Sequence, residues 1–229
     1  MSGVPARRAM ILAAGRGERL RPLTDACPKP LLTVAGRPLI DYHLEALARV
    51  GIREVVINLS WLGEQIRAAL GAGERFGLTI RYSEEGSVAL ETGGGIFRAL
   101  QWLGEEPFLV VNGDVHTDYD LAELRLASDE LARLVLVPNP SHHPGGDFAL
   151  EAGRIVEEGS LRYTYSGVGL YTAALFSGCS PGRFPLKPLL DRAIAQGRLG
   201  GVLHTGHWTD VGTVERMAAL EAALTGGSR

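Results

Sequence analysis

Apolar and polar positions fall into runs whose period changes along the chain, and those periods predict its elements. Arg8 to Ala13 is a short apolar run that stops at glycine and gives way to a polar stretch rich in Arg, Pro and Lys, so a strand feeds a loop. From Pro38 to Val50 apolar residues recur at helical spacing (Ile40, Leu44, Leu47), and Gly51 stands where a left-handed helix end wants glycine. Val55-Val56-Ile57 reads as a buried strand, Trp61 to Leu70 as a helix, Leu78 to Tyr82 as a strand and Ile96 to Leu103 as a helix. Phe108 to Val111 is apolar without interruption, as in a central strand buried on both faces, and it ends at Asn112-Gly113-Asp114. Asp114 therefore sits at a strand's carboxyl end.

Beyond that point Asp120 with Glu123 forms a capping box for a short helix, and Leu131 to Val137 is the next strand. Residues 139–172 break the rhythm: prolines, glycines and two short alternating segments, Phe148 to Leu150 and Arg154 to Val156, predict a hairpin insert ahead of a strand near Gly167 to Tyr171. A helix over Lys187 to Ala195, a segment from Val202 to Val211 and a last helix with Val214, Met217, Leu220 and Leu224 on one face complete the chain. The βαβ alternation predicts an α/β protein with a mainly parallel sheet and helices on both faces. At 229 residues it is expected to form a single domain, 1–229, carrying the insert.

Composition narrows the function classes. The 23 basic and 26 acidic residues are interspersed, with no basic block to suggest nucleic acid. No apolar run approaches the roughly 20 residues of a membrane helix, and the stretch after Arg7 and Arg8 is too short for a signal peptide, so a cytoplasmic protein without membrane partners is expected. Nothing predicts an oligomer; a monomer is the expectation. Cys27 and Cys179 have no metal-type spacing. His142-His143 read as exposed loop imidazoles, His43, His116, His204 and His207 receive no role, and Trp61, Trp102 and Trp208 read as packing residues.

In open α/β sheets ligands bind at the carboxyl edge, and the first strand-to-loop junction is the usual phosphate site. Here it reads Leu12-Ala13-Ala14-Gly15-Arg16-Gly17-Glu18-Arg19-Leu20-Arg21-Pro22-Leu23-Thr24, then Pro28-Lys29-Pro30. Gly15 and Gly17 let backbone N–H groups approach phosphate oxygens, and Arg19 and Lys29 can donate charge-assisted hydrogen bonds. The glycine pair alone fits an ordinary tight turn equally well: Leu20 replaces the third glycine of a dinucleotide fingerprint, and no GK[ST] follows.

The whole string, with Glu91-Thr92-Gly93-Gly94-Gly95, Asn112-Gly113-Asp114 and Trp208-Thr209-Asp210-Val211-Gly212-Thr213 in order behind it, resembles the sugar-1-phosphate nucleotidyltransferases over nearly the full chain. The resemblance implies a Rossmann-like fold, a mixed, mainly parallel sheet flanked by helices with a small β insert. It implies an enzyme joining a nucleoside triphosphate to a sugar 1-phosphate with release of pyrophosphate. Its nearest branch implies UTP and a sugar 1-phosphate of cell-wall recycling, while mannose-1-phosphate guanylyl transfer stays open. Carried over residue by residue, it gives catalytic roles to Arg19, Lys29 and Asp114. Nucleotide contacts fall to Ala13, Ala14, Gly15, Gly17, Glu18, Arg19, Lys29, Thr92, Gly93 and Gly94, and sugar contacts to Asn112, Asp147, Glu157 and Ser166. Asp114 and Asp210 become ligands of Mg2+, an ion that favours one or two carboxylates beside phosphate oxygens and water.

Two departures stand out. Many relatives place a lysine just after the central glutamate, whereas this chain has Glu157-Glu158-Gly159, leaving metal ions or an arginine such as Arg162 to hold the sugar phosphate. Glu18 stands where relatives often carry Thr or Ser, and an acid there repels phosphate unless it faces Arg16, a base hydroxyl or solvent. Two other classes share such features: a glycosyltransferase consuming nucleotide sugars, which has no need of Arg19 and Lys29, and a non-catalytic sensor, which would lose a metal aspartate or the lysine.

Overall fold

The computed structural model describes residues 6–226. In chain order the elements are β1 (Arg8–Leu12), α1 (Leu23–Ala26), β2 (Thr33–Val34), β3 (Arg37–Pro38), α2 (Leu39–Arg49), β4 (Glu54–Leu59), α3 (Gly63–Leu70), β5 (Thr79–Glu84), α4 (Glu91–Leu103), β6 (Phe108–Asn112) and β7 (Val115–Thr117). They continue through β8 (Ala132–Val137), β9 (Phe148–Glu151), β10 (Arg154–Val156), β11 (Arg162–Tyr171), α5 (Lys187–Ala195), β12 (Leu199–Leu203), β13 (Trp208–Asp210) and α6 (Val214–Gly226). Nine strands form one sheet in the order β5-β4-β1-β6-β11-β8-β12-β10-β9, in which β10 and β11 run against the others.

The uninterrupted apolar run of β6 has the cause the sequence suggested. Leu109 and Val111 face one core with α2 and α3, while Phe108 and Val110 face a second core with α4 and α5. A third, smaller cluster joins Met217, Leu220 and Leu224 of α6 to Leu20, Leu32, Val34 and Leu39. The last helix thus packs under the polar loop after β1. Val214, expected on the same face, is exposed.

Helix boundaries differ from the periodicity in instructive places. Gly51 has φ +90° just past α2, as its position predicts. The helix expected from Ile96 begins at Glu91, so Gly93, Gly94 and Gly95 lie inside it. Each costs about 1 kcal/mol against alanine in a helix, and packing explains them. A Cβ on Gly93 would lie 2.6 Å from the Phe184 ring, one on Gly94 2.2 Å from the Gly182 carbonyl oxygen, and one on Gly95 2.6 Å from Glu85 Oε1. Trp61 precedes α3 rather than starting it, because Leu62 takes φ +51°. The capping box at Asp120 shortens to a single turn, Leu121–Glu123, with the Asp120 carboxylate accepting the Ala122 N–H. The insert is no separate appendage. The β9–β10 hairpin joins the edge of the main sheet through β12, and β11 begins at Arg162, five residues earlier than its apolar part suggested.

Candidate active site

The loop after β1 is built by its own polar residues. Gly17 takes φ +68°, the buried Thr24 hydroxyl donates to the Gly17 carbonyl at 2.9 Å, and Glu18–Leu20 form a short turn that leaves Arg19 exposed. Trp61 donates its indole N–H to the Thr24 carbonyl at 2.9 Å, and Gln65 donates to that of Ala26 at 3.1 Å, so the start of α3 fastens the loop from outside. The Arg16 guanidinium lies 4.4 Å from the Trp61 ring centroid, a cation–π distance. Glu18 pairs with Arg16 at 3.4 Å and with Arg21 at 3.9 Å and is otherwise solvated. That answers its apparent misfit among phosphate ligands, since two arginines neutralise it.

Lys29, which is buried, stretches across to Asp114, with Nζ 2.5 Å from Oδ2. Gly113 lets the chain turn there. Its N–H donates to the Leu12 carbonyl at 2.9 Å, and a Cβ would stand 2.8 Å from that same oxygen. Asp210 reaches the site through a two-stranded ribbon: β13 pairs antiparallel with β7, setting Asp210 opposite Val115, and the Val211 N–H donates to the Asp114 carbonyl at 2.7 Å. The two carboxylates expected to share a metal are thus brought to adjacent strand ends. Asp210 caps no helix; Thr213 does, accepting the Arg216 N–H.

A cleft of about 240 Å³ is lined by Ala13, Ala14, Gly15, Lys29, Thr92, Asn112 and Asp114 among the expected residues, with Leu12 beside them. A recess lined by Gly15, Gly17, Glu18, Arg19, Lys29 and Asp114 shares three of these walls and so continues the cleft, adding Gly212. Two further polar cleft residues, Asn58 and Glu85, escaped the sequence reading, and Glu91, quoted there only as part of a motif, lines the cleft as well. The buried Asn58 accepts the Ala13 N–H at 2.7 Å and donates to Glu85 Oε1 at 2.7 Å, while Glu85 Oε2 accepts the Leu90 N–H at 2.7 Å. This chain of bonds joins the β1 loop to the segment before α4, and Gly95 makes room for it. Its only sequence signals are polar residues at the ends of two apolar strands. The Ala13 amide is therefore already used, leaving its carbonyl and the amides beyond it for a ligand.

Other expected residues lie elsewhere. Gly93 and Gly94 face Phe184 and Gly182, not the cleft; the Gly94 N–H donates to the Phe184 carbonyl at 3.0 Å. Ser166 is buried with its hydroxyl accepting the Val168 N–H at 3.1 Å. Asp147 and Glu157 line a different recess, between the insert and α5, together with Arg162 and Lys187. The Asp147 carboxylate accepts the Tyr165 N–H at 2.8 Å and lies 3.0 Å from His143 Nε2. Arg162 donates to the Asp147 carbonyl and lines that recess rather than the cleft at Asp114.

The two histidines taken for idle loop imidazoles each engage one of the expected aspartates. His143 meets Asp147, and His142 Nε2 stands 3.2 Å from Asp210 Oδ1. Arg216 of α6 approaches from the opposite side, Nη2 3.2 Å from Oδ2. Neither contact is aligned as a hydrogen bond, so Asp210 Oδ1 is a buried carboxylate oxygen without a donor. Gly212 admits this crowd: a Cβ there would lie 2.0 Å from Arg216 Nη2, 2.9 Å from Asp210 Oδ2 and 3.0 Å from Arg19 Nη2. Behind Asp114, His43 is fully buried and its pKa is held down at about 4, first by burial and then by neighbouring His116.

The described residues form no cluster of three or more His, Cys, Asp or Glu able to hold a metal by themselves. Two adjacent carboxylates, one with an oxygen lacking a donor, nevertheless fit a hard cation that completes its shell with substrate phosphate and water. No helix of the described residues is long and apolar enough to cross a membrane.

Residues 8–146 match the family model for nucleotidyl transferases. An N-acetylmuramate alpha-1-phosphate uridylyltransferase of Neisseria meningitidis serogroup B is 50% identical over 224 residues, covering 94% of this chain and 97% of that protein. A second protein of that description, from Caulobacter vibrioides, is 36% identical with 98% and 99% covered. A Bacillus anthracis crystal structure assigned to glucose-1-phosphate thymidylyltransferase superposes with a TM-score of 0.83 over 94% of both chains, and at 23% identity it speaks for the fold alone.

Proposed function

The chain belongs to the nucleotidyl transferase family, among the enzymes that act on sugar 1-phosphates, and on that premise we propose that it transfers UMP from UTP to N-acetylmuramate 1-phosphate. The products are UDP-N-acetylmuramate and pyrophosphate. The choice of sugar and base is supported by the two relatives matched over nearly their full lengths. Cytoplasmic cell-wall recycling is the setting that suits this product.

The observation that carries the chemistry is the convergence of Asp114 and Asp210 beside Lys29 and Arg19. Attack occurs at the α-phosphorus of UTP by an oxygen of the sugar phosphate. That oxygen is already anionic, so no general base is required. What the site must supply is alignment and charge. Lys29 and Arg19 stand where they would neutralise the departing pyrophosphate, and the amides of Gly15 and Gly17 offer further donors. Asp114 and Asp210 would hold Mg2+, which when bound draws charge from the α-phosphate oxygens. Arg216 sets a guanidinium beside Asp210, with Nη2 3.2 Å from Oδ2. Thr92, Asn58, Glu85 and Glu91 form the far wall, suited to the base and ribose.

The test is a pyrophosphate-release assay crossing four nucleoside triphosphates with the 1-phosphates of N-acetylmuramate, N-acetylglucosamine, glucose and mannose. UTP with the muramate is expected to turn over fastest, and Asp114→Asn or Asp210→Asn to reduce kcat on the order of 10²–10³-fold or more. Preference for another pair would replace the substrate assignment, and pyrophosphate from none would overturn the enzyme reading.

A further inference from the structure

The two oxygens of Asp210 look in different directions. Oδ2 faces Arg216 and, across the space that Gly212 leaves open, Arg19 and the recess where pyrophosphate would depart. Oδ1 faces the insert and His142. In a substitution at phosphorus the entering and leaving oxygens lie roughly in line on opposite sides. If the leaving group occupies the Arg19 side, the sugar phosphate must enter from the side of His142.

Three further observations single out this residue. His142 and Asp210 stand 3.2 Å apart, a donor and an acceptor close enough to bond yet not aligned to do so. A buried oxygen left without a donor costs about 1–3 kcal/mol, which makes the arrangement one that awaits other partners: a cation for Oδ1, an anion for the imidazole. Next, the other cations of the insert are engaged elsewhere, Arg154 with Asp129 at 2.6 Å and Arg162 with the Asp147 carbonyl. Finally, His143 is tied to Asp147 at 3.0 Å, which anchors the loop carrying His142 to the start of β9.

We propose that His142 is the donor that receives the phosphate of the incoming sugar 1-phosphate, filling the place left by the lysine missing after Glu157. The role needs one N–H, which the ring carries whether neutral or charged. It rests on the nucleotidyl-transfer reading and on Asp210 lying at the reacting phosphate.

The experiment compares His142→Ala and His142→Gln with the parent protein in steady-state kinetics and in equilibrium binding. Binding of each sugar 1-phosphate is measured by calorimetry in the presence of a UTP analogue with a non-cleavable α–β bridge. His142→Ala is expected to raise KM and Kd for the sugar 1-phosphate about tenfold or more, equally for N-acetylmuramate 1-phosphate and glucose 1-phosphate, with KM for UTP within twofold. His142→Gln, which retains an N–H donor, should recover most of the loss. An unchanged sugar-phosphate Kd, or a rise that falls on UTP instead, overturns the proposal. So does a loss confined to the muramate, which would assign His142 to the lactyl carboxylate. Asp210→Asn run alongside separates the levels: if it keeps full activity, the placement of the reaction at Asp210 fails, and if it is inactive while His142→Ala is normal, only the role of His142 fails.

Discussion

Asn58 offers the most direct test of how the cleft is held together, because one buried side chain bridges two segments. Its carboxamide accepts the Ala13 N–H and donates to Glu85, both at 2.7 Å, and Ala13 is itself buried. Asn58→Ala orphans a buried amide, at about 1–3 kcal/mol, and removes a bond to a carboxylate of similar worth. The total is about 2–6 kcal/mol, and for a chain of this size each kcal/mol lowers Tm by about 2–4 °C. A fall of at least about 4 °C, and up to about 20 °C, is therefore expected by scanning calorimetry. Asn58→Asp is the sharper variant. It keeps the acceptor for Ala13 but sets a second carboxylate about 3 Å from Glu85, worth roughly 5 kcal/mol of repulsion at an effective dielectric of 20 if both stay ionised. The pair will instead share a proton, with a folded-state pKa raised above its unfolded value. That contribution is present at low pH and lost as pH rises, so the deficit of Asn58→Asp should grow between pH 5 and pH 8. A Tm for Asn58→Ala within 2 °C of the parent, or an Asn58→Asp deficit flat across that range, would refute the bridging argument.

Two further expectations rest on packing. Gly94→Ala gains about 1 kcal/mol of helix propensity but drives a methyl to 2.2 Å from the Gly182 carbonyl oxygen. Overpacking costs about 1–3 kcal/mol or more, and at 2.2 Å from a backbone oxygen it outweighs that gain, so the variant should unfold at lower urea and lose affinity for nucleotide as Thr92 shifts; equal or higher stability would contradict the close approach. His43 has a folded pKa of about 4 against an ordinary 6.5. The unfolded chain therefore binds this proton first: stability is complete above about pH 6.5 and declines as pH falls toward 4. Urea midpoints should drop between pH 7.5 and pH 5, and His43→Gln should flatten the slope; an identical slope in the variant would remove His43 as the cause.

The fold was legible because its central strands carry unbroken apolar runs and its helices regular stripes. The loop after β1 was legible as a wall of the cleft because Gly17, Arg19 and Lys29 carry conformational and charge signals that survive in one dimension. What escaped is what depends on distant segments meeting. Asn58 and Glu85 are ordinary polar residues until β4 and β5 align their ends beside β1. His142 acquires meaning only when the β7–β13 ribbon carries Asp210 to it. Gly93 and Gly94 were expected at the nucleotide and ahead of the helix because their packing partners, Phe184 and Gly182, lie far along the chain. Ser166 and Glu157 could not be oriented from sequence because β11 starts earlier than its apolar half suggests and carries an irregular register between Tyr165 and Gly169.

The ribbon that delivers Asp210 also fixes an order of events during synthesis. The glycine loop, Lys29, Thr92 and Asp114 leave the ribosome long before Asp210, and the sheet strands around the cleft can pair in the meantime. A nascent chain can therefore carry most of the cleft's lining while lacking Asp210, the second of the two adjacent carboxylates. Competence arrives late, when β13 zips onto β7 and α6 settles beneath the loop on Leu20 and Leu32. On the proposed function, chains interrupted before that point would carry Asp114 without Asp210, the last of the expected site residues in sequence order.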